Sequence, residues 1–202
     1  MIYRTRLPVL LIALLLPLGL LAACGPDEDV PDPDPTVIDE EGVLTEEDIA
    51  PQAAEAVLEP TEGNEVSGTV RFTEVDDGIR VEASVVGLSE NSLHGFHIHE
   101  EGDCSAPDAT SAGGHFNPTD TPHGGPDDEP SERHVGDLGN LESDETGQAT
   151  YDRVDDLLTF EGDASILGRS VIVHADEDDL TSQPVGDAGA RLACGIITPV
   201  EE

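Results

Sequence analysis

The segment Gly95-Phe96-His97-Ile98-His99-Glu100 constrains this chain more than any other part of its sequence. Side chains alternate between the two faces of an extended strand, so His97 and His99 point to one face while Phe96 and Ile98 point to the other. The apolar face predicts contact with a core, and two imidazoles on one rigid strand can supply half of a metal site. The alternative is a half-buried strand whose polar face carries histidine by chance, and the histidines elsewhere in the chain argue against it.

Further histidines follow in a series of short motifs. In chain order these are Gly113-Gly114-His115-Phe116-Asn117-Pro118, Pro122-His123-Gly124-Gly125-Pro126, Arg133-His134-Val135-Gly136-Asp137-Leu138-Gly139-Asn140, Val171-Ile172-Val173-His174 and Gly189-Ala190-Arg191-Leu192-Ala193-Cys194-Gly195. In this order, the motifs closely resemble those of the copper/zinc superoxide dismutases. The resemblance extends from about Ala53 to the C-terminus, and it rests on the whole ordered set rather than on one motif.

The resemblance implies two metal ions, and all but one of the seven histidines fall on the family's ligand positions. Copper would be held by His97, His99, His115 and His174, and zinc by His115, His123, His134 and Asp137. Four imidazoles suit copper, and three imidazoles with a carboxylate suit tetrahedral zinc. His115 would bridge the two ions as an imidazolate. The remaining histidine, His94, is expected to make a structural hydrogen bond rather than to bind metal.

Two charged residues complete the site that the resemblance implies. Asp178 would accept hydrogen bonds from one copper ligand, His97, and one zinc ligand, His123, and so orient both imidazoles. The alternative for Asp178 is one more carboxylate in an acidic loop. Arg191 would lie beside the copper and bind the incoming anion through a guanidinium that is always charged. The alternative for Arg191 is a structural salt bridge.

The reaction implied by the resemblance is the dismutation of superoxide to molecular oxygen and hydrogen peroxide. Copper would cycle between two oxidation states, while zinc would hold the loop and do no redox chemistry. His115 would be catalytic as well, leaving copper on reduction and carrying a proton for the second half-reaction. The alternative is a non-catalytic copper-binding or copper-delivery lipoprotein on the same fold. Its sign would be the loss of a copper ligand or of Arg191, and the sequence shows neither.

Residues 1–23 predict export. They begin with two arginines within an otherwise apolar segment, which is interrupted by prolines and ends in small residues, as is typical of a signal peptide. The end of the segment, Leu21-Ala22-Ala23-Cys24, resembles the lipobox of bacterial lipoproteins. Cleavage before Cys24 would leave its thiol to carry a lipid that anchors the protein to a membrane of the cell envelope, facing the periplasm or the exterior. An ordinary signal peptide that ends near a cysteine is the alternative.

Residues 24–52 are expected to be the lipidated cysteine followed by a disordered, acidic, proline-rich tether. Residues 25–52 carry many acids and prolines and no basic residue, so they cannot bury enough apolar surface to offset the entropy of ordering. The stretch from Glu46 to Ala56 could form a transient helix.

The chain has three cysteines. If Cys24 carries a lipid, Cys104 and Cys194 remain as a pair in an exported protein, where disulfides persist. The family that the chain resembles has the same bridge, and two free thiols are the alternative. The bridge would close a loop of about 90 residues and contribute roughly 4–5 kcal/mol on a chain-entropy argument.

Residues 53–202 are predicted to form one all-β domain, an antiparallel Greek-key barrel or sandwich with long metal-binding and active-site loops. Apolar and polar residues alternate at 66–72 and 79–85, and Asp76-Asp77-Gly78 predicts a hairpin between them. Further strands are expected at Gln148–Val154, Leu157–Phe160, Ser170–His174 and Cys194–Ile197. The stretch from Glu101 to Arg133 has little periodicity, and loops of that length are usually functional.

The formal net charge is −37, and lysine is absent. No basic patch predicts nucleic-acid binding. Such a surface resembles those of proteins from salt-loving organisms, with an ordinary acidic protein as the alternative. The negative charge should repel superoxide at long range, and salt should screen the repulsion, since the Debye length falls to about 3 Å at 1 M. The expected partners are superoxide and a membrane, and a homodimer is left open.

Overall fold

The structure is a computed structural model that describes residues 51–200. The signal peptide expected at 1–23, the lipidated Cys24 and nearly all of the tether lie outside the described residues. No helix among residues 51–200 has the length and the apolar character that crossing a membrane would require.

Nine antiparallel strands make up the regular structure of the described residues. They are β1 (Ala53–Pro60), β2 (Ser67–Val75), β3 (Gly78–Val86), β4 (Leu93–His99), β5 (Asp137–Glu142), β6 (Ala149–Asp155), β7 (Ser170–His174), β8 (Arg191–Ile196) and β9 (Thr198–Pro199). Hydrogen bonding follows the order β5-β4-β7-β8-β1-β2-β3-β6, with β9 on β1. The sheet curls into a nearly closed Greek-key barrel, so the predicted fold class is confirmed.

The hairpin between β2 and β3 forms as predicted. Val75 pairs with Gly78, and the register continues to Ser67 opposite Val86. Gly78 has a φ of 135°, and a Cβ atom there would lie 2.3 Å from the carbonyl oxygen of Asp155. The turn therefore needs glycine both for its backbone conformation and for the close approach of the end of β6.

The transient helix considered for Glu46–Ala56 is wrong for its described part, because Ala53 to Ala56 belong to β1. Ala54 and Ala56 are fully buried and pair with β2 opposite Phe72 and Val70. Alanine favours helix in an isolated peptide, but a short isolated helix is marginal and tertiary burial decides. The small side chains of Ala54 and Ala56 fit into the core beside β2.

The strand expected at Leu157–Phe160 does not form. The Asp155 carboxylate accepts a hydrogen bond from the Leu157 backbone nitrogen at 2.9 Å, which turns the chain directly after β6. Leu158 and Phe160 are still buried, and a single bridge joins Thr159 to the segment that follows. The apolar pattern thus predicted burial correctly but assigned the wrong backbone shape. The last predicted strand also starts earlier, at the first residue of β8.

The core fixes which face of β4 carries the histidines. Phe96 and Ile98 are fully buried in the main apolar cluster inside the barrel, as their alternation predicts. His97 and His99 therefore lie on the outer face, yet both are also buried. Two long connections cover that face, residues 100–136 between β4 and β5 and residues 175–190 between β7 and β8.

Side-chain links hold the longer connection in place. Its one helical element is a single 3-10 turn at Thr110–Ala112. The disulfide between Cys104 and Cys194 ties its start to β8. Near its end, Arg133 is buried and forms an ion pair of 2.9 Å with Asp155. A segment that buries little apolar surface of its own thus depends on a covalent bond and on charge pairing.

Candidate metal centre

Two groups of side chains lie on the outer face of β4, and each is close enough to hold one metal ion. The ligand atoms of each group lie within 4.8 Å of one another, and all of these residues are buried. The groups are His97, His99, His115 and His174 in one case and His115, His123, His134 and Asp137 in the other. The structure therefore brings together every metal ligand that the sequence suggested, with the same shared residue.

The first group is preorganised, because each ring is fixed through the nitrogen that points away from the centre. His99 Nδ1 donates to the carbonyl oxygen of Gly113 at 3.0 Å, and His174 Nδ1 lies 3.3 Å from the carbonyl oxygen of Gly189. Their Nε2 atoms are 3.4 Å apart. Hydrogen bonds of this kind select the tautomer whose free nitrogen faces the metal.

The same group contains buried nitrogen atoms that lack a partner. His97 Nε2 is engaged by Asp178 Oδ2 at 2.6 Å, so His97 Nδ1 faces the centre and has no hydrogen bond. His115 Nε2 is likewise buried without a partner. Buried polar atoms are rarely left unsatisfied, and nitrogen atoms that converge from four imidazoles fit a copper ion.

The second group is built around one carboxylate oxygen. Asp137 Oδ1 lies 2.8 Å from His115 Nδ1, 3.1 Å from His123 Nδ1 and 3.2 Å from His134 Nδ1. Asp137 Oδ2 accepts hydrogen bonds from the backbone nitrogens of His134 and Gly124 at 2.8 and 3.1 Å. Three imidazoles and one carboxylate in a compact, buried arrangement are the donors that tetrahedral zinc prefers.

Asp178 lies between the two groups. Its Oδ2 accepts from His97 Nε2 at 2.6 Å, and its Oδ1 accepts from His123 Nε2 at 2.9 Å. The side chain of Asn140 holds the Asp178 backbone through two reciprocal hydrogen bonds of 2.8 and 2.9 Å. Sequence reasoning missed Asn140. No signal was available, because the strand that contains it, β5, was not among the predicted strands.

Burial and mutual repulsion favour the neutral form of three imidazoles of the first group, those of His99, His115 and His174. Burial lowers the pKa of His115 to about 4 and that of His174 to about 3, and the neighbouring His97 lowers both further. Burial and the same crowding lower the pKa of His99 well below its ordinary value. Neutral rings are the form that binds metal, so this half of the site is ready for a cation at neutral pH.

In the second group, interactions between the imidazoles and the carboxylates outweigh the effect of burial on the pKa values. Burial alone would raise the pKa of Asp137, but hydrogen bonds from His115, His123 and His134 outweigh it and hold the pKa well below the ordinary range. Burial lowers the pKa of His123, but its interactions with the carboxylates of Asp137 and Asp178, which accept from the ring, raise it to about 9. The carboxylate thus stays ionised and can neutralise part of the charge of a bound cation.

Arg191 lies at the start of β8, with its guanidinium half-buried. Its Nη1 and Nη2 donate to the carbonyl oxygens of Ala109 and Gly113, each at 2.6 Å. Burial lowers the pKa of Arg191, while the charge of Asp108 opposes that effect. Two backbone carbonyls, rather than a bonded carboxylate, thus position the group. Gly113 also accepts from His99, so one carbonyl links Arg191 to the histidine group.

The disulfide and the remaining histidine behave as the sequence predicted. Cys104 and Cys194 are bonded, with their Cα atoms 5.8 Å apart, and both pack in a small apolar cluster that includes Ala109. The bridge therefore anchors the backbone that holds Arg191. His94 is buried, and its Nδ1 lies 2.9 Å from the carbonyl oxygen of His174.

Comparisons with known proteins agree with this geometry. A family model described as copper/zinc superoxide dismutase matches residues 66–197. The chain is 44% identical over 158 residues to a Cu-Zn superoxide dismutase of Paramecium bursaria Chlorella virus 1, covering 75% of this chain and 81% of that protein. It is 46% identical over 155 residues to an extracellular Cu-Zn superoxide dismutase of Caenorhabditis elegans, covering 74% and 67%.

A relative from Drosophila melanogaster, also named an extracellular Cu-Zn superoxide dismutase, is 45% identical over 145 residues, which cover 68% of this chain and 78% of the relative. Among solved structures, the crystal structure of the clock protein EA4 matches with a TM-score of 0.68 and 41% identity. That match covers 75% of this chain and 97% of the other.

Proposed function

Because the chain belongs to the copper/zinc superoxide dismutase family and uses copper and zinc to dismutate superoxide, we propose how its two buried groups divide the metals. Copper is held by His97, His99, His115 and His174. Zinc is held by His115, His123, His134 and Asp137. The observation that carries this assignment is the orientation of His115, whose Nδ1 faces the carboxylate of Asp137 and whose Nε2 faces the other three imidazoles of the first group.

When bound, copper supplies one-electron redox chemistry, whereas zinc supplies a fixed positive charge without redox chemistry. His115 is proposed to hold or release a proton at Nε2, the atom that faces the copper group. Asp137 keeps His115 Nδ1 directed to the zinc side, and Asp178 keeps His97 Nδ1 directed to the copper side. Each of these two carboxylates restricts one imidazole to a single orientation, as carboxylates that accept from metal-bound histidines commonly do.

Arg191 is proposed to bind superoxide before reaction. Its guanidinium is held by two carbonyl oxygens, so its positive charge is not cancelled by a bonded carboxylate. Partial burial reduces screening by solvent, and a guanidinium can offer two N–H groups to a small anion. The copper-delivery alternative has no use for such a group, and no observation favours it.

The direct test is metal analysis combined with superoxide decay on the purified protein. We expect one copper and one zinc per chain, and turnover that is lost with copper and regained on its return. A protein that binds copper fully but turns over no superoxide would contradict the proposed site and favour the copper-delivery alternative.

Export and lipid anchoring at Cys24 are proposed for the cellular setting, where the enzyme would protect the cell envelope from superoxide. Support comes from the bonded pair Cys104–Cys194, because disulfides persist outside the cytosol, and from two relatives that are named extracellular. Replacing Cys24 by serine should abolish lipid labelling and leave the precursor uncleaved or mislocated. Replacing Cys104 by serine is the control and should leave labelling intact. Unchanged labelling of the Cys24 variant would refute the anchor.

A homodimer is proposed from two exposed apolar side chains on neighbouring strands. Val57 on β1 and Ile196 on β8 are 53% and 40% exposed, and the backbone of Gly195 packs against the carbonyl of Val57. A second copy that covers this patch would remove apolar surface from water. Sedimentation of the wild type and of a Val57→Glu variant tests this, and a wild type that sediments as a monomer would exclude the dimer.

A further inference from the structure

The nine residues after Asp178, here called the covering segment (residues 179–187), lie against the hydrogen bond between Asp178 and His123. Gly186 makes the closest approach. A Cβ atom built there would lie 1.8 Å from Asp178 Oδ1 and 2.7 Å from His123 Nε2, and Gly186 has a φ of 70°. A glycine backbone thus shields from one side the hydrogen bond that joins the carboxylate to a zinc-side histidine.

The covering segment is hydrogen-bonded to itself. The backbone nitrogen of Asp179 donates to the Gly186 carbonyl at 3.0 Å, and the Gly186 nitrogen donates to the Ser182 carbonyl at 2.7 Å. The Asp179 carboxylate accepts from the backbone nitrogens of Thr181 and Ser182 at 2.9 and 2.7 Å. These bonds make the segment a small unit that is expected to move as a whole.

One side chain joins this unit to the connection that carries His123. The His123 backbone nitrogen donates to Gln183 Oε1 at 2.9 Å, and Gln183 Nε2 donates to the His123 carbonyl at 2.8 Å. Within residues 51–200, these are the only hydrogen bonds between the covering segment and residues 100–136. A single amide therefore satisfies both backbone groups of a histidine that is 60 residues away in sequence.

We propose that Gln183 is a positioning residue for the zinc site. It fixes the main chain of His123, so that His123 Nδ1 stays directed at Asp137, and it keeps Gly186 against the bond between His123 Nε2 and Asp178. The proposal rests on the zinc assignment made above. It goes further by giving a task to an exposed residue that contacts a metal ligand only through the ligand's backbone.

The consequence is a difference between the two metals. The copper group is held mainly by strands β4 and β7, whereas His123 lies in a connection that contains no strand. Loss of the two hydrogen bonds between Gln183 and the His123 backbone should therefore weaken zinc binding before copper binding. Copper should stay bound, because Asp178 can still accept from His97.

The test is Gln183→Met in the protein loaded with copper and zinc. Methionine has a similar length but can make neither hydrogen bond. We expect zinc release into a chromogenic zinc chelator to be about tenfold faster, because both hydrogen bonds to the His123 backbone are lost, together with a longer one to the Thr181 carbonyl. The His123 backbone amide should also exchange its hydrogen faster, with copper content unchanged. The matched control is Gln148→Met, since Gln148 is another glutamine whose amide bonds locally, to Thr146 Oγ1 at 2.8 Å, in the turn before β6.

Three results would contradict either the role of Gln183 or the zinc site on which it depends. Zinc release and His123 exchange at wild-type rates in Gln183→Met would overturn the role of Gln183. Equal acceleration in Gln183→Met and Gln148→Met would also overturn it, since that result indicates general loosening. A wild type that binds no zinc would instead contradict the proposed zinc site itself, which separates the two failures.

Discussion

His115 shows how much depends on the orientation of one ring. Its Nδ1 is 2.8 Å from Asp137 Oδ1, so its Nε2 can only face the copper group. The residue lies in a long connection, but a bridge to His99 pins its backbone to the end of β4. The ring thus owes its place to a strand on one side and a carboxylate on the other.

The zinc assignment predicts a metal-specific effect of His134→Ala. Removing this ring leaves three of the four zinc ligands and all four copper ligands. We expect zinc to be lost first and the loop around His123 to loosen, while copper stays bound. Metal analysis measures both ions at once. The matched control is His174→Ala, which should lose copper before zinc, and full zinc retention in His134→Ala would show that the assignment is wrong.

Arg191→Ala should lower the second-order rate with superoxide by about tenfold, if the guanidinium contributes about 1.4 kcal/mol of anion binding. Metal content should not change, because Arg191 contacts backbone carbonyls and not the metal ligands. Superoxide decay measures the rate. Arg191→Lys should recover only part of it, since an ammonium cannot reproduce the two-pronged contact with Ala109 and Gly113. An undiminished rate in the alanine variant would remove Arg191 from the substrate site.

The metal-free protein should be most stable near pH 6.5. Folding lowers the pKa of His115 to about 4 and that of His174 to about 3, so below pH 6.5 the unfolded chain binds protons that the folded chain does not. Stability should therefore fall as the pH drops towards 4, by about 1.4 kcal/mol per pH unit for each ring. His123, with a pKa raised to about 9, adds stability that is lost as the pH rises through that value.

Urea unfolding in the presence of a chelator, at several pH values from 4.5 to 9.5, measures this profile. A free energy of unfolding that stays constant between pH 6.5 and 4.5 would show that His115 and His174 are not held neutral in the absence of metal.

The functional role of a residue can be predicted from sequence more easily for some residue types than for others. Histidine is rare in this chain, and its ordered motifs carry the family resemblance, which in turn implied that His134 and Asp137 are metal ligands. Asn140 and Gln183 are amides that bind backbone groups, and nothing in their local sequence distinguishes them from loop residues. The residues that hold the ligands could not be predicted, because their partners lie tens of residues away.

At the scale of elements, the alternation of apolar and polar residues predicted the strands that have one buried face and one solvent-exposed face. β2 and β3 are of this kind, and they form as expected. β5 was not predicted, because its polar residues Asp137 and Asn140 serve the site instead of solvent. β1 was hidden by its alanines. Sequence periodicity reports burial on a regular surface, and it becomes weak wherever a strand also carries function.

The Cys104→Ser variant should lose stability, because the bridge closes a separation of 90 residues. The chain-entropy argument sets the loss at roughly 4–5 kcal/mol. Metal retention should also weaken, since the connection that carries Ala109 and Gly113 would lose its covalent link to β8 and keep only the hydrogen bonds from Arg191. Urea unfolding of metal-free proteins gives the first quantity, and chelator competition gives the second. A variant as stable as the wild type would show that packing alone orders this connection.

At the scale of the molecule, negative charge dominates, and nearby acids pair with three of the six described arginines, including the buried Arg133. Arg80 pairs with Asp152 at 2.6 Å, and Arg153 pairs with Asp127 at 2.9 Å. Such pairs leave little positive potential to attract an anion from a distance. Attraction at short range then depends on Arg191.

Added salt should therefore raise the stability of the protein, and over some range the second-order rate with superoxide as well. Salt screens the mutual repulsion of the acids and the repulsion of the substrate. The rate of Arg191→Ala should stay below that of the wild type at every salt concentration, because the contact is short-ranged. Superoxide decay and thermal unfolding at increasing sodium chloride measure both trends. A wild-type rate that falls steadily with salt would indicate steering by positive potential and refute the argument.

Strand β1 also separates two ends of the barrel. Its last residue, Pro60, pairs with Ala193 near Arg191, while its first, Ala53, pairs with Thr73 at the other end. Seven steps of about 3.3 Å put roughly 23 Å between them. In a biosensor, an electrode or bead coupled ahead of Ala53 would attach to the end of the barrel that lies away from Arg191. The surface beside Arg191 would then stay accessible to the sample.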